Sequence, residues 1–338
     1  MSKYKSIAVI YGSDSSEWEV SCRSGEFVAS ALDDSVYDIY EIFARFGVWQ
    51  LVACRKKNAM RVTFPVEARP EVDKNDFSVH VLGETVKFDF AYIVQHGAPG
   101  ENGLLQGYLE MLGVPFSSCS SYSSTIAFNK YACKSYVRDR GLVKCAPDVL
   151  VHRDDDPAVY TQKIISELKF PVFVKPTQGG SSFGVTRVTD PDALADAVQF
   201  AFSEDPMVLV EQGISGRELT CAAYRTADGV KVLPPIEIVS DNEYFDYDAK
   251  YNGHSKEICP APIDAAQTEE LQKTTAALYS YFGCNGVVRM DYILAEDGLY
   301  FLETNTIPGM TSASLVPKMV RQAGMSMTEF LSVIIENS

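Results

Sequence analysis

Residues 287–305 read VVRMDYIL, AEDG, LYFLETN: two largely apolar runs joined through Asp297 and Gly298. An Asp-Gly pair between such runs marks a tight β-hairpin. Glu296, Asp297 and Gly298 form a three-residue loop if Gly298 is left-handed. Ala295 then pairs with Leu299, Asp291 lies opposite Glu303, and Arg289 lies opposite Asn305. Opposed residues share a face, with side chains about 5 Å apart. Val288, Met290, Tyr292 and Leu294 point one way with Tyr300 and Leu302, while the polar residues gather on the other face at the open end. Two unpaired carboxylates side by side repel. Two readings stand. Either Arg289 simply pairs with Asp291 on a solvated face, or Asp291, Glu303 and Asn305 offer oxygens to magnesium. Two ions about 3.5–4 Å apart, bridged by one carboxylate, fit phosphoryl transfer.

The chain has 338 residues, too many for one ordinary core, so two or three domains are expected. SIAVIY (6–11), the loop GSDSS and the run EVSCRSGEFVASAL read as strand, loop and helix, with Ser16 and Glu19 in capping-box spacing. FAYIVQ (90–95), HGAPGENG (96–103) and LLQGYLEMLG (104–113) repeat that order. Repeated βα units predict an open parallel sheet with functional loops at its carboxyl ends, over residues 1–118. A helix is expected over 125–141, and beyond it strands run into strands through glycine loops, which predicts antiparallel sheets. The divisions read as a middle piece at 119–211 and a C-terminal piece at 212–338. The long polar and aromatic connection 240–260 reads as a lid or binding loop.

FPVFVKPTQGGSSFGVTRV (170–188) places Lys175 at the end of an apolar strand, ahead of a loop holding Gly179, Gly180, Ser181, Ser182 and Gly184. Backbone N–H groups and hydroxyls of such a loop can cover phosphate oxygens. It lacks the GKS or GKT of a Walker loop and leads into a strand. The N-terminal GSDSSE does not match GxGxxG, which argues against a dinucleotide-binding oxidoreductase. Net charge is −15, which argues against a nucleic-acid or anionic-membrane partner. No apolar run nears the roughly 18 residues of a membrane span. The eight cysteines are scattered without a CxxC, and no signal-peptide pattern opens the chain, so a cytoplasmic protein is expected.

Seven stretches occur in order: SSEWEVSCRSG (15–25), HGAPGENGLLQG (96–107), FNKYACK (128–134), VKPTQGGSSFGV (174–185), DYDAKY (246–251), RMD (289–291) and LETNTIPGMTSASLVP (302–317). On these the chain resembles the D-alanine–D-alanine ligases of the ATP-grasp superfamily, from residue 7 to about residue 329. The resemblance implies three domains: an α/β N-terminal domain and two α+β domains whose largely antiparallel sheets sandwich ATP. It implies Lys130, Lys175 and Lys250, with Ser182, on the nucleotide phosphates, and Glu211 and Glu218 on the adenine and ribose side. Asp291, Glu303 and Asn305 match ligands of two Mg2+ (or Mn2+) ions, with Glu303 bridging. Glu17 matches the acid that holds the first D-alanine's ammonium, Ser181 and Tyr251 its hydrogen-bonded companions, and His96 a substrate contact. Arg289 and the Gly309 N–H match oxyanion stabilisers, and Ser314 and Leu315 the positions that take the second substrate's carboxylate.

The implied reaction joins two D-alanines through an acyl phosphate for peptidoglycan precursor synthesis, in a homodimer. Tyr251 goes with an amino acid as second substrate, against the D-lactate ester; the alternative reading is a ligase with another second substrate, D-lactate or D-serine. A nucleotide-binding module without catalysis would have no use for the oxyanion donors. The chain departs from the family pattern at Ser13, where a glycine is common, at Trp18, where a histidine is common, and at Asn102, where an aspartate is frequent.

Overall fold

A computed structural model describes residues 2–179, 184–240 and 255–338. The N-terminal unit contains β1 (Ser6–Gly12), α1 (Trp18–Ala31), β2 (Asp38–Arg45), β3 (Val48–Arg55), β4 (Val62–Thr63), β5 (Val72–Asp73), β6 (Ser78–Val81), β7 (Glu84–Lys87), β8 (Phe90–Ile93) and α2 (Leu104–Leu112). Its main sheet has the order β4-β3-β2-β1-β8, and β5 to β7 form a small sheet beside it. β1 is parallel to β2 and β8, as the βα repeats predict. β3 and β4 are antiparallel additions that the sequence reading missed. They follow from a two-residue turn at Phe46 and Gly47, with φ of 47° and 76°, which closes β2 on β3. Two positive φ values match the right-handed twist of a hairpin.

Two helices, α3 (Ser121–Phe128) and α4 (Lys130–Arg140), replace the single helix expected over 125–141. Asn129 breaks them: its side chain accepts from the Ala132 N–H as the α4 cap and donates to Thr177 Oγ1. After β9 (Lys144–Cys145) come β10 (Asp148–His152), α5 (Pro157–Glu167), β11 (Val172–Pro176), β12 (Thr186–Val188), α6 (Leu194–Ala201) and β13 (Met207–Gln212). The sheet β10-β13-β11-β12 is antiparallel throughout. Its valines, among them Val149, Val174 and Val210, pack against Ile164 of α5 and Val198 of α6.

The last unit contains β14 (Arg217–Thr226), β15 (Gly229–Val232), β16 (Ile236–Ser240), β17 (Ser255–Ile258), α7 (Ala265–Tyr281), β18 (Val287–Ala295), β19 (Gly298–Asn305), α8 (Leu315–Gln322) and α9 (Met327–Glu336). Its sheet runs β17-β16-β14-β18-β19-β9, with β15 on β14. Residues 119–145, which the sequence reading grouped with the middle piece, pack here. Cys133 and Val137 of α4 share a core with Leu219, Met290 and Phe301, and β9 pairs with β19. Phe330 and Ile334 of α9 lie in one core with Val28 of α1, Ile7 of β1 and Ala222 of β14. Fully burying each such side chain contributes roughly 1.5–3 kcal/mol. The first and last units are thus held together behind the cleft that the middle unit faces.

The hairpin of β18 and β19 departs from its expected turn. Ala295 pairs with Gly298, so the loop is two residues, Glu296 and Asp297. A bulge then shifts the register between Asp291 and Tyr292, and the open end has the expected pairs Asp291–Glu303 and Arg289–Asn305. Because side chains alternate, the extra residue exchanges faces on β19. Leu299 and Phe301 join the apolar core with Val288, Met290 and Tyr292, whereas Leu302 lines a cavity with Ile293. The expected places of Tyr300 and Leu302 in that core are therefore corrected.

Candidate active site

A cavity of about 1360 Å³ opens between the middle and last sheets and reaches the loops of the N-terminal unit. Among the described residues, every candidate site residue read from the sequence lines it. Glu17 and His96 come from the N-terminal unit, and Lys130, Lys175 and Glu211 from α4 and the middle sheet. Glu218, Arg289, Asp291, Glu303 and Asn305 come from the last sheet, and Gly309, Ser314 and Leu315 from the segment after β19. Ser181, Ser182, Lys250, Tyr251 and most of the expected lid lie outside the described residues.

At the open end of the hairpin, Asp291 is buried and fully engaged. Its carboxylate accepts from Arg289 Nε at 2.9 Å and Nη2 at 2.8 Å, from Thr220 Oγ1 at 2.6 Å and from Asn305 Nδ2 at 3.2 Å. Arg289 pairs with Asp291 as one sequence reading has it, but on a buried face, and Glu303 and Asn305 stand on the opposing strand. The donor set suits a hard cation. Magnesium is commonly held by one or two carboxylates and completed by substrate phosphates, and two carboxylates with one amide supply that share. Among the described residues no three His, Cys, Asp or Glu side chains converge as a closed metal cage.

The lysine-lined end of the cavity rests on charge pairing that sequence reasoning missed. Glu211, opposite Phe173 in the sheet, contacts Lys175 Nζ at 2.5 Å and also Lys134 Nζ, which is fully buried. Burial pushes the Lys134 ammonium down to about 8 and that of Lys175 well below its usual value. For Lys175 the neighbouring Lys134 and Lys130 ammoniums add to the shift, while Glu303 and Asp148 oppose it. The signal for Lys134 was present: it sits on the buried face of α4 beside Cys133 and Val137. Lys130, at the start of α4, donates its backbone N–H to Thr177 O and its Nζ to Gly179 O, both at 2.8 Å. Asp205 accepts from Thr177 Oγ1 and from the Gln178 N–H, so the base of the glycine loop is fixed from two sides.

At the other end, α1 begins at Trp18 with Glu17 as its cap residue, and Ser16 makes no capping box. Ser15 explains the later start. Its Oγ accepts from the Glu17 N–H at 3.1 Å and donates to His96 O at 2.8 Å, tying the loop to β8. Gly97, with φ of 73°, allows this approach, because a Cβ there would lie 2.6 Å from the Ser15 side chain. His96 is buried, and burial lowers its affinity for a proton. Both its ring nitrogens are engaged, with Ile307 O and Ser24 Oγ at 3.0 Å each. Glu101 is a second residue that sequence reasoning left in the loop. Burial and the nearby Glu17 carboxylate push its carboxyl up to about 8, although the Gly97 N–H donates to it at 2.7 Å. The single acid in HGAPGENG was the available signal.

The chain matches the family described as D-ala D-ala ligase N-terminus over residues 6–119 and D-ala D-ala ligase C-terminus over residues 139–336. The chain belongs to the D-alanine–D-alanine ligase family. It is 40% identical over 334 residues to a D-alanine–D-alanine ligase of Phocaeicola vulgatus, covering 98% of this chain and 99% of that protein. A D-alanine–D-alanine ligase of Parabacteroides distasonis is 41% identical over 334 residues, with 98% and 97% covered. Among solved structures, the VanG D-Ala:D-Ser ligase from Enterococcus faecalis matches with a TM-score of 0.85 at 30% identity, covering 98% and 99%. The D-alanine–D-alanine ligase from Bacillus anthracis matches with a TM-score of 0.76 at 31% identity, covering 98% and 97%. The mixed architecture, a parallel-centred sheet followed by two antiparallel ones, is the ATP-grasp fold of these ligases.

Departures from the family pattern have local accounts. Trp18 lies under the Arg45 guanidinium, 4.4 Å from its ring centroid, with Phe46 also close to that cation. Asn102 accepts from the Leu104 N–H at the start of α2, as an aspartate would. Ser13 has φ of 118° and is buried, a backbone that glycine enters at lower cost.

Proposed function

We propose that this chain joins two D-alanines into D-alanyl-D-alanine at the expense of ATP, as a step in making peptidoglycan precursors. The observation that carries the reading is the convergence of an acid at the helix start, a lysine-lined phosphate end and the Arg289–Asp291–Glu303–Asn305 cluster on one cavity. D-alanine is favoured as second substrate because curated relatives about 40% identical over nearly the whole chain carry that activity in their names.

Lys130 and Lys175 bind the nucleotide phosphates, Glu211 and Glu218 border its adenine and ribose side, and Lys250 and Ser182 complete the set. Lys175 leaves Glu211 for the phosphates when ATP enters, while Lys134 remains to neutralise that carboxylate. Asp291, Glu303 and Asn305 would hold two magnesium or manganese ions, which would supply charge neutralisation for the terminal phosphoryl group. Positioning and such neutralisation govern phosphoryl transfer onto a carboxylate. Glu17 holds the first D-alanine's ammonium, with Ser181 and Tyr251 beside it, and His96 shapes that end of the site from behind. Leu315 and Ser314, at the start of α8, take the second D-alanine's carboxylate. Its neutral amine attacks the acyl phosphate carbonyl, and charge growing on that oxygen meets Arg289 and the Gly309 N–H. Losing one such donor costs about 10²–10³ in rate. A homodimer in the cytoplasm is the expected setting.

The test is ATP-dependent phosphate release with D-alanine, L-alanine, D-alanine plus D-lactate, and D-alanine plus D-serine, with and without magnesium, and product identity by mass spectrometry. Turnover with D-alanine alone to the dipeptide is the expected result. Folded protein that is silent in every mixture overturns it.

A further inference from the structure

We propose that Ser24 is a positioning residue for the ligation step: with His96 it fixes the 307–310 turn and so aims the Gly309 N–H at the carbonyl oxygen under attack. The proposal rests on the ligase reading above and adds to it a residue that does not line the cavity. Ser24 lies on the fully buried side of α1, in the N-terminal unit, whereas the turn follows β19 in the last unit.

The hydrogen-bond polarity of this contact is determined from one end. Ile307 O, a carbonyl, can only accept, so His96 Nδ1 carries the proton at 3.0 Å. In a neutral ring Nε2 is then an acceptor, so the Ser24 hydroxyl donates to it at 3.0 Å. The Ser24 oxygen is left free to accept from the Met310 N–H at 3.3 Å. The chain begins on the carbonyl of residue 307 and ends on the amide of residue 310. Between its ends lie Pro308 and Gly309, the residue whose N–H is assigned to the oxyanion. A turn held at its two ends has little freedom to rotate its middle amide, and a preorganised donor is worth most when it needs no reorganisation during reaction.

A buried serine–histidine pair could equally satisfy its own polar atoms and do nothing else. The two roles separate in the fate of the acyl phosphate. Its formation uses the terminal phosphoryl of ATP and does not depend on the Gly309 N–H. Amine attack does: the new C–N bond forms, the carbonyl oxygen takes the charge, and phosphate leaves with its bonding pair, the proton lost by the amine ending on it. When attack slows, water takes the intermediate. Its oxygen joins phosphorus, the acyl oxygen leaves as the D-alanine carboxylate, and phosphate is released without dipeptide.

The experiment measures phosphate and D-alanyl-D-alanine together for the wild-type chain and Ser24→Ala, with the ATP KM from the same data. Wild type should release one phosphate per dipeptide. Ser24→Ala should make dipeptide about 10-fold more slowly, with more than about two phosphates per dipeptide and an ATP KM within about 2-fold, since a misaimed donor loses part of its 10²–10³. Ser24→Thr, which keeps the hydroxyl, should stay coupled. Ser24→Cys, nearly isosteric with a weak acceptor, replaces the alanine variant if that does not fold. A Ser24→Ala protein that keeps its rate, or loses rate with the ratio still at one, overturns this proposal alone. A wild type silent with ATP and D-alanine overturns the ligase reading and this proposal with it.

Discussion

Asp291 and Glu303 face each other across β18 and β19 although the turn that joins those strands is one residue too short for that pairing. The bulge beside Asp291 supplies the missing residue, and bulges are common where a side chain must be re-aimed near a site. The two carboxylates nonetheless have different surroundings. Asp291 is bound to Arg289, Thr220 and Asn305 in the fold itself. Asp291→Asn therefore removes the partner of a buried guanidinium, and breaking such a pair costs about 3–5 kcal/mol. Glu303→Gln removes charge from the cavity and leaves that pair intact. Both variants should lose at least about 100-fold in turnover, the scale of losing one preorganised electrostatic group. Asp291→Asn should also show a large fall in Tm, and unchanged melting of that variant contradicts the pairing.

Lys134 should affect nucleotide binding without touching the nucleotide. It shares the Glu211 carboxylate with Lys175, and it is fully buried. In Lys134→Met, Lys175 stays in contact with Glu211 without a second ammonium to share that carboxylate, so Lys175 should be harder to draw onto phosphate. The expected result is a lower Tm and an ATP KM raised by about 10-fold, or roughly 1.4 kcal/mol of binding, with a smaller change in kcat. Steady-state kinetics over a range of ATP concentrations checks this. An unchanged ATP KM in a folded variant would leave Lys134 a purely structural residue.

Much of this site was legible in the sequence, and the reasons differ by residue. Strand alternation and one Asp-Gly turn were enough to bring Arg289, Asp291, Glu303 and Asn305 together, because a register error at the turn was cancelled by the bulge. The apolar face was misread for that same reason, since a bulge leaves no mark in hydrophobic periodicity. Lys134 was legible as a buried helix position but not as a partner of Glu211, and Ser24 gave no signal, because their partners lie far away in the chain, at Glu211 and Met310. The break at Asn129 was missed because the residues on both sides are good helix formers. What decides it is a tertiary bond from Asn129 to Thr177, and that bond brings Lys130 to the glycine loop. The antiparallel β3 and β4 depended on Phe46 adopting a positive φ, which its residue type does not advertise.

His96 and Glu101 should give the stability–pH curve opposite slopes on its two sides. His96 is buried neutral with its proton affinity lowered, so its folded pKa lies below the unfolded value near about 6.5. Its contribution is present above that value and lost as pH falls, because the unfolded chain takes up the proton first. Glu101 has its carboxyl pushed up to about 8. The folded protein then holds a proton that the unfolded chain releases from about 4.3 upward, so stability falls as pH rises toward about 8. Urea unfolding at several pH values should show His96→Gln flattening the acid side and Glu101→Gln flattening the alkaline side. Slopes unchanged in both variants would contradict these assignments.

Ser13 offers a gain of stability at the edge of the site. Its φ of 118° is well outside the regions a serine adopts without cost, and strain of this kind is worth about 1–3 kcal/mol. Glycine enters that region freely, and the loss to be set against it is the hydrogen bond from Ser13 Oγ to Ser15 Oγ at 2.9 Å. A hydrogen bond of that type contributes about 0.5–1.5 kcal/mol net, and Ser15 keeps its bonds to His96 O and the Glu17 N–H. Ser13→Gly should therefore raise Tm by a few degrees, at about 1 kcal/mol, while the KM for D-alanine changes less than about 3-fold. Thermal melting and D-alanine saturation curves on the same preparations decide it. A lower Tm would mean that the serine hydroxyl outweighs the backbone strain, and a large rise in the D-alanine KM would mean that Ser13 sets the position of Glu17 through Ser15.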